Sequence, residues 1–144
     1  MALTPNSFTD ASASKSRSTR VYKDISLSFS RHPITGDIAK LSDADAVKRS
    51  VRNLISTDFY ERPFHPEIGS NIRKTLFEPV DTSTAENLAT YIEECISNFE
   101  PRAELSSVQV NVAGINGYHV TIEFYLINSA TGLETLEIGM ERLR

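Results

Sequence analysis

The sequence feature that most constrains the fold is a pair of alternating segments in the last third of the chain, separated by the turn sequence GING at 114–117. Period two is typical of strands with one buried face, and a Gly-rich turn between two such strands favours a hairpin. A second turn sequence, SATG at 129–132, leads into a third alternating segment. We therefore predict a three-stranded antiparallel meander with one face against helices. The alternating apolar residues are Val108, Val110 and Val112, then Tyr118, Val120, Ile122, Phe124 and Leu126, and finally Leu136, Ile138 and Met140.

Two amphipathic helices are predicted before the meander. The first starts at the N-cap candidate Ser42, and the second covers DTSTAENLATYIEECISNF at 81–99. Between them, Pro63 and Pro66 exclude a continuous helix, and Ser70 is predicted to cap a short helix through Phe77. The apolar stripes are Val47, Val51, Leu54 and Ile55 in the first helix, and Ala85, Leu88, Ala89, Ile92, Cys95, Ile96 and Phe99 in the second.

The segment DISLSFS at 24–30 alternates apolar residues with serines, which predicts a half-buried strand with Ile25, Leu27 and Phe29 on its covered face. A turn at 35–37 then favours a short hairpin or an irregular strand pair. The predicted fold class is α+β: one domain over residues 21–144, with an N-terminal hairpin, two main helices and a C-terminal three-stranded meander. Residues 1–20 are rich in Ser, Thr and Ala, with three bases against one acid. They are predicted to be a flexible arm, either without a role or ordered by a partner.

Composition excludes several classes of function. The net charge of −4 disfavours a nucleic-acid binder, and there is no apolar run of about 18 residues to cross a membrane. The first twenty residues lack the apolar core of a secretory signal. The lone Cys95 suggests a structural thiol in a reducing compartment. His32, His65 and His119 are too far apart for a metal motif, and no phosphate-binding loop occurs, so we expect no metal and no cofactor.

Hydrolysis of murein or another polysaccharide requires two carboxyl groups a few ångströms apart. Six glutamates are available for such a pair, but acids are common on any protein surface and neighbouring acids on a helix do not face one another. Cys95 lies on the apolar face of a predicted helix, which disfavours a nucleophile. We therefore assign no catalytic residue. The six glutamates are Glu61, Glu67, Glu78, Glu93, Glu94 and Glu100.

Features typical of partner binding are stronger. The sequence FYERPFHP at 59–66 concentrates Phe59, Tyr60, Arg62 and Phe64 in a proline-containing loop, and aromatic residues with arginine are enriched in protein interfaces. At least one of these aromatic residues is expected to pack beneath the helices instead. The last strand, with Leu136, Ile138 and Met140, is expected to present an open edge, and such an edge invites strand addition by a partner.

The triplet Glu100, Pro101 and Arg102 stands between the second helix and the first strand of the meander. Pro101 disfavours helical geometry at Glu100, so the helix is predicted to end at Phe99. The two charges then have several interpretations: a chance flanking of the helix end, an internal pair, a cap on the last carbonyls, or a rigid docking point. In a docking point, Arg102 makes bidentate contacts to a partner, and Glu100 either accepts from a basic partner or orients Arg102.

Three spaced blocks occur in an order that resembles the small baseplate wedge proteins of contractile phage tails, the sheath-initiator family that also includes type VI secretion baseplate subunits. The blocks are HPITGDIAKLSDADAVKRSVRNLIST, ERPFHPEIGSNIRKTLFEP and a helix ending in NFEPR. The resemblance covers about residues 22–143, and Glu100, Pro101 and Arg102 match the signature triplet of the family.

This resemblance implies a non-enzymatic structural subunit in the tail baseplate of a virion, assembled in the host cytoplasm. It implies a fold like the inner part of the tail sheath subunit, and a triplet that grips a helical core bundle of other wedge subunits. It further implies strand edges to which tail sheath protein adds, contacts to the tail tube or hub, and a six-fold arrangement in which avidity keeps the whole ring stable although each contact is modest. The alternatives are a tail-associated murein hydrolase, since some descriptions of the family are lysozyme-like, and a type VI secretion baseplate subunit.

Overall fold

A two-stranded hairpin, three helices and a three-stranded sheet follow one another along the chain in the computed structural model, which describes residues 22–127 and 132–142. The α+β prediction is confirmed, whereas the predicted arm at 1–20 and most of the second turn lie outside the described residues. Within those residues, no helix has the length and apolar character needed to cross a membrane. The elements are β1 (Lys23–Ile25), β2 (Lys40–Ser42), α1 (Asp43–Ile55), α2 (Ile72–Thr75), α3 (Thr82–Phe99), β3 (Ala103–Ala113), β4 (Gly117–Leu126) and β5 (Glu134–Glu141).

The meander forms as predicted, with strand order β3-β4-β5 and antiparallel pairing throughout. Val120 of β4 lies between Val110 of β3 and Ile138 of β5, so the apolar positions of neighbouring strands share one face. A bulge near Ser106 interrupts the pairing of β3 with β4. All five alternating residues of β4, Tyr118, Val120, Ile122, Phe124 and Leu126, are buried.

The two long helices cover the apolar face of the sheet. Helix α3 packs mainly on β3, and α1 packs on α3 and beside β5. The predicted stripe of α1 is fully buried, whereas Ala89 and Phe99 of the α3 stripe are only half-buried. Helix α3 begins where the Asp81 carboxylate accepts from the Thr84 backbone N–H at 2.7 Å. Each fully buried Leu or Ile in this core contributes about 1.5–3 kcal/mol of burial free energy.

The N-terminal strand was predicted incorrectly. Strands β1 and β2 do pair as a hairpin, but β1 ends at Ile25. Ile25, Leu27 and Phe29 are 53%, 49% and 67% exposed, whereas Ser26 is buried. The alternation fails because the chain turns after Ile25: the Phe29 N–H donates to the Ser26 carbonyl at 3.0 Å, and Phe29 takes a φ of 50°. The hydroxyl groups of Ser26 and Ser28 also bond to each other at 2.8 Å.

Ser70 does not cap the short helix. Helix α2 covers only Ile72–Thr75, with Asn71 in the N-cap position. The Ser70 hydroxyl instead donates to the Ile55 carbonyl at 3.1 Å, and its N–H donates to the Thr57 carbonyl at 2.9 Å. Ser70 is therefore held to the end of α1 and is unavailable to α2. Ser42 does occupy the N-cap position of α1, but its hydroxyl makes no capping bond.

Candidate partner-binding surfaces

The predicted helix end at Phe99 is confirmed. Glu100 follows as the C-cap residue with φ −123° and ψ 76°, and its N–H still donates to the Ile96 carbonyl at 2.9 Å. Pro101 carries no N–H and cannot continue this ladder. The chain then turns, with the Ala103 N–H donating to the Glu100 carbonyl at 3.2 Å, and enters β3. The side chain of Arg102 therefore projects in a fixed direction from the turn between α3 and β3.

The carboxylate of Glu100 is buried and fully engaged within the protein. Arg102 donates from Nε to Oε1 at 2.5 Å and from Nη2 to Oε2 at 2.7 Å. The Ser50 hydroxyl, from α1, donates to Oε2 at 2.5 Å. Glu100 is only 3% exposed, whereas the Arg102 side chain is 30% exposed. The pair is thus the fork-shaped arrangement in which a carboxylate holds a guanidinium at two points.

These contacts decide the ionisation of Glu100. Burial alone favours the neutral acid, but the hydrogen bonds from Arg102 and Ser50 and the Arg102 charge outweigh it, so the pKa of Glu100 falls below its ordinary 4.5. The hydrogen bonding that Arg102 donates to Glu100 is also the main reason that the pKa of Arg102 is raised. Both groups are therefore charged at neutral pH, and the pair is a permanent feature of the folded chain.

Tyr22 covers the other side of Arg102. The guanidinium carbon lies 5.7 Å from the centre of the Tyr22 ring, which is within the range of a cation–π contact. The Tyr22 hydroxyl donates to the Ile127 carbonyl at 2.8 Å, and the Ile127 N–H donates to the Arg102 carbonyl at 3.0 Å. The Arg102 side chain is thus clamped between Glu100 and Tyr22, and its Nη1 makes no hydrogen bond to any described residue.

Of the two roles considered for Glu100, this geometry favours the orientation of Arg102, because a buried carboxylate is not accessible to a basic partner. The internal pair considered as an alternative is present. Ser50 and Tyr22 were not predicted as members of the cluster. Ser50 lies beside the apolar stripe of α1 and Tyr22 stands before β1, and neither has a local sequence signal for a contact with residues 100–102.

The aromatic loop, residues 57–70, presents two large side chains to solvent. Tyr60 is 83% exposed and Phe64 is 96% exposed, Arg62 is also exposed, and Phe59 is half-buried. Tyr60 and Phe64 both have φ of 70°, a left-handed conformation that costs a bulky residue about 1–2 kcal/mol. Exposed aromatic residues kept in an unfavourable backbone conformation favour a role in binding over a role in stability.

The base of the aromatic loop is tightly held. Residue 69 must be glycine, because a Cβ there would lie 2.6 Å from backbone atoms of Asp58 and Phe59. The Gly69 carbonyl also accepts from the Cys95 thiol at 3.5 Å on α3. At the tip, the Tyr60 N–H donates to the Pro66 carbonyl at 2.9 Å. The loop is thus a defined structure with an apolar tip.

The three predicted binding elements occupy two regions. Phe59 shares a cleft with Asn98 and Phe99 at the end of α3, so the aromatic loop adjoins the helix that carries Glu100.

Leu136 and Met140 are core residues of the sheet and Ile138 is half-buried, so the first two cannot offer their side chains to a partner. Strand β5 pairs only with β4 in the part of the chain that the structure describes. The predicted strand addition would therefore use the backbone N–H and C=O groups along the other edge of β5.

The other candidate chemical groups lie in settings that favour structure. Burial raises the pKa of the Cys95 thiol to about 11, which disfavours the reactive thiolate. Among residues 22–127 and 132–142, no three His, Cys, Asp or Glu side chains come together as metal ligands would. Five of the six glutamates considered for hydrolysis are exposed, and the sixth, Glu100, is the buried partner of Arg102.

Comparison with known proteins gives a family match over residues 41–130, to the model described as baseplate wedge protein gp25. The chain is 28% identical over 106 residues to baseplate wedge protein gp25 of Enterobacteria phage T4, covering 72% of this chain and 80% of that protein. The family match includes α1, the aromatic loop, α3 and the Glu100–Pro101–Arg102 turn, since residues 41–130 span all of them.

Solved structures show the same fold. A putative tail lysozyme from Geobacter sulfurreducens superposes with a TM-score of 0.65 at 25% identity, covering 72% of this chain and 96% of that one. A chain of the anti-feeding prophage baseplate, solved with 6-fold symmetry, gives a TM-score of 0.58 at 22% identity over 86% and 88% of the two chains. A chain of the type VI secretion baseplate complex gives 0.55 at 14% identity over 69% and 93%.

Proposed function

Because the chain belongs to the family of baseplate wedge protein gp25, we propose that it is a structural subunit of the baseplate of a contractile tail, and that it acts by binding other subunits without catalysis. The observation that carries this proposal is the family match over residues 41–130. That range contains the clamped Arg102 and the aromatic loop, the two features whose local structure is best explained by a partner.

Arg102 is proposed as the contact to a helical core bundle of other wedge subunits. Glu100, which Ser50 holds in place, binds the guanidinium from one side, and Tyr22 covers its face. Little side-chain entropy of Arg102 therefore remains to be lost on binding. The Nη1 end can donate to a carboxylate or to carbonyl groups at a helix C-terminus. The aromatic loop, which adjoins the end of α3 through Phe59, is proposed to provide a second, apolar contact.

The edge of β5 is proposed to receive a strand from the tail sheath protein, so that the subunit starts sheath polymerisation in the virion. An unpaired edge provides backbone donors and acceptors without any requirement on sequence. The hub and the tail tube are further proposed neighbours. In a six-fold ring each contact can be weak while the assembly is stable, because binding at one site raises the effective concentration at the next.

The experiment that tests this proposal is incorporation into baseplates. Arg102→Ala is expected to give a folded protein that fails to join the wedge. Arg102→Lys is expected to be impaired because lysine cannot make the two-point contact with Glu100 that holds the side chain in place. Lys74→Ala, which removes an exposed base on α2, is the matched control and is expected to assemble normally. Normal incorporation of both Arg102 variants into contractile particles would overturn the role of Arg102.

A variant that misfolds would also fail to assemble, so Glu100→Gln combined with Arg102→Gln serves as a second test. Two amides can hydrogen-bond to each other where the ion pair stood, which retains the internal contact without the guanidinium. This double variant is expected to unfold cooperatively like the wild type and yet remain outside the wedge. If it assembles, the internal contact matters and the guanidinium does not.

The relative described as a putative tail lysozyme raises the alternative of a murein hydrolase. A glycosidase needs a carboxylic acid that is protonated at working pH, hence a raised pKa. Glu100, the buried acid of the described structure, is shifted in the opposite direction by Arg102 and Ser50. We therefore expect purified protein at high concentration to leave a peptidoglycan suspension turbid. Clearing that disappears on removal of one carboxylate would overturn the non-enzymatic proposal.

A further inference from the structure

Two clefts lie between β5 and the helices, on a strand whose second edge pairs with no described strand, and we call the two clefts together the groove. At one end, Leu136 of β5 faces a cleft lined by three bases of α1, namely Lys48, Arg49 and Arg52. At the other end, Ile138 and Met140 face a cleft whose apolar lining comes from Ile55, Ile72 and Leu76, with Ser56 and Arg73 at the same cleft. Arg73 lies near Asp58 and Glu61, at 3.8 and 3.9 Å. A strand that pairs with the edge of β5 would direct every second side chain into this groove.

The basic end of the groove has unsatisfied positive charge. Lys48 is paired with Glu134 at 2.7 Å. Within the described residues, Arg49 and Arg52 form no salt bridge and no side-chain hydrogen bond, and Asp45 is the one acid that lines the same cleft. With Lys48 paired to Glu134, Arg49 and Arg52 thus stand against Asp45 beside Leu136. A negative side chain from a partner is the complement that this end lacks.

The opposite face of β5 has the reverse charge. Glu137 and Glu141 point away from the helices and are exposed, and Glu123 lies on the same face of the neighbouring strand β4. A strand added at this edge would therefore place alternate residues beside bases on one face and beside acids on the other. Since a shift by one residue exchanges the two faces, the charges specify the register as well as the partner.

We infer that the edge of β5 selects an extended segment that directs an acidic side chain toward Arg49 and Arg52 and an apolar side chain toward Ile55 and Ile72. This inference rests on the proposed function, in which the edge receives a strand. Leu136 and Met140 are four residues apart, roughly 13 Å along a strand. The acidic and apolar side chains of the partner are accordingly four residues apart on one face, with basic or neutral residues between them.

The test uses the full chain with a strand attached after Arg144 through a flexible Gly/Ser linker, since tethering raises the local concentration to about the millimolar range. The attached strand, Thr-Val-Thr-Val-Thr-Glu-Thr, has its valines and its glutamate on one face. The control, Thr-Val-Thr-Val-Glu-Thr-Thr, has the same charge with the glutamate moved to the opposite face. Amide hydrogen exchange of β5, followed by NMR, reports whether the edge has become paired.

We expect the first strand to slow exchange in β5 about fivefold more than the control, the size of a favourable cross-strand charge pair. Arg49→Glu combined with Arg52→Glu is expected to abolish or reverse that preference. Equal protection by both strands would overturn the charge selectivity and leave strand addition standing. Protection by neither would overturn the inference and the proposed sheath contact together, whereas the role of Arg102 in the wedge is decided separately by the incorporation experiment.

Discussion

Arg102 binds Glu100 through two hydrogen bonds of 2.5 and 2.7 Å, and the two residues are separated only by Pro101. A pair so close in the chain needs no long-range folding to meet. Its burial, however, depends on Ser50 of α1, which donates to the same carboxylate. The pair therefore links three elements, because α1, the end of α3 and the start of β3 all contribute to one hydrogen-bonded cluster.

Removal of the carboxylate is expected to destabilise the fold. In Glu100→Ala, the partly buried Arg102 and the Ser50 hydroxyl both lose their acceptor, which should lower the free energy of unfolding by about 2–3 kcal/mol. Urea denaturation followed by circular dichroism measures the change. Glu104→Ala, at an exposed position of β3, is the control and should remain within about 0.5 kcal/mol of wild type. Equal stability of the two variants would show that the cluster contributes little.

The contribution of Glu100 should also depend on pH. Its pKa is lowered in the folded state, so its stabilising effect is fully present above the unfolded value near 4.5 and is lost as the pH falls through the lower folded value. The difference in unfolding free energy between wild type and Glu100→Gln should accordingly be constant from pH 7 to about 5 and shrink below 4.5. Denaturation curves for both proteins across this range provide the measurement. A difference that stays constant down to pH 3 would contradict the assignment.

The close approach at Gly69 predicts a strong effect of a single methyl group. In Gly69→Ala the new Cβ would lie 2.6 Å from the backbone of Asp58 and Phe59, so the base of the aromatic loop must move. We expect a loss of about 2–3 kcal/mol in the free energy of unfolding. Gly139→Ala is the matched control, because a Cβ there meets nothing within 4 Å, and it should be neutral or slightly stabilising.

Replacement of both exposed aromatic residues separates stability from binding. Tyr60→Asn combined with Phe64→Asn should leave the melting temperature unchanged or raise it, because asparagine tolerates the left-handed backbone at φ 70° better than an aromatic residue does. Incorporation into the baseplate should fall in the same variant. Stability is checked by thermal denaturation and assembly by electron microscopy of particles. A large loss of stability would indicate that the aromatic side chains belong to the fold.

The core elements were predictable from the sequence because each repeats its buried positions at a fixed period. Tyr118 to Leu126 alternate over five buried positions, and α3 keeps its apolar stripe from Ala85 to Ile96. Pro101 likewise marks the end of α3 through a local steric effect. Such signals are contained within one helix or strand and do not depend on which other element packs against it.

The predictions that were wrong or incomplete concern residues whose structure depends on contacts outside their own element. Phe29 continues the alternation of Ile25 and Leu27, but no described element covers that side of the hairpin, and local serine hydrogen bonds favour a turn. The Ser70 hydroxyl donates to the Ile55 carbonyl and does not accept from an N–H of α2. The cluster around Glu100 was only partly predicted because Ser50 lies 50 residues away in the chain. No local pattern identifies a partner at that distance.

The hydrogen bond between Tyr22 and Ile127 spans 105 residues, and the buried stripe of α1 packs on α3 and beside β5 in the same core. This arrangement has a consequence for synthesis, since the N-terminal hairpin and α1 leave the ribosome long before the strands that cover them. At a translation rate of roughly 5–20 residues per second, residues 22–55 wait on the order of 5–20 s for those strands. The contacts of the N-terminal hairpin with Ile127, and of α1 with β5, can therefore form only after those later segments have been made.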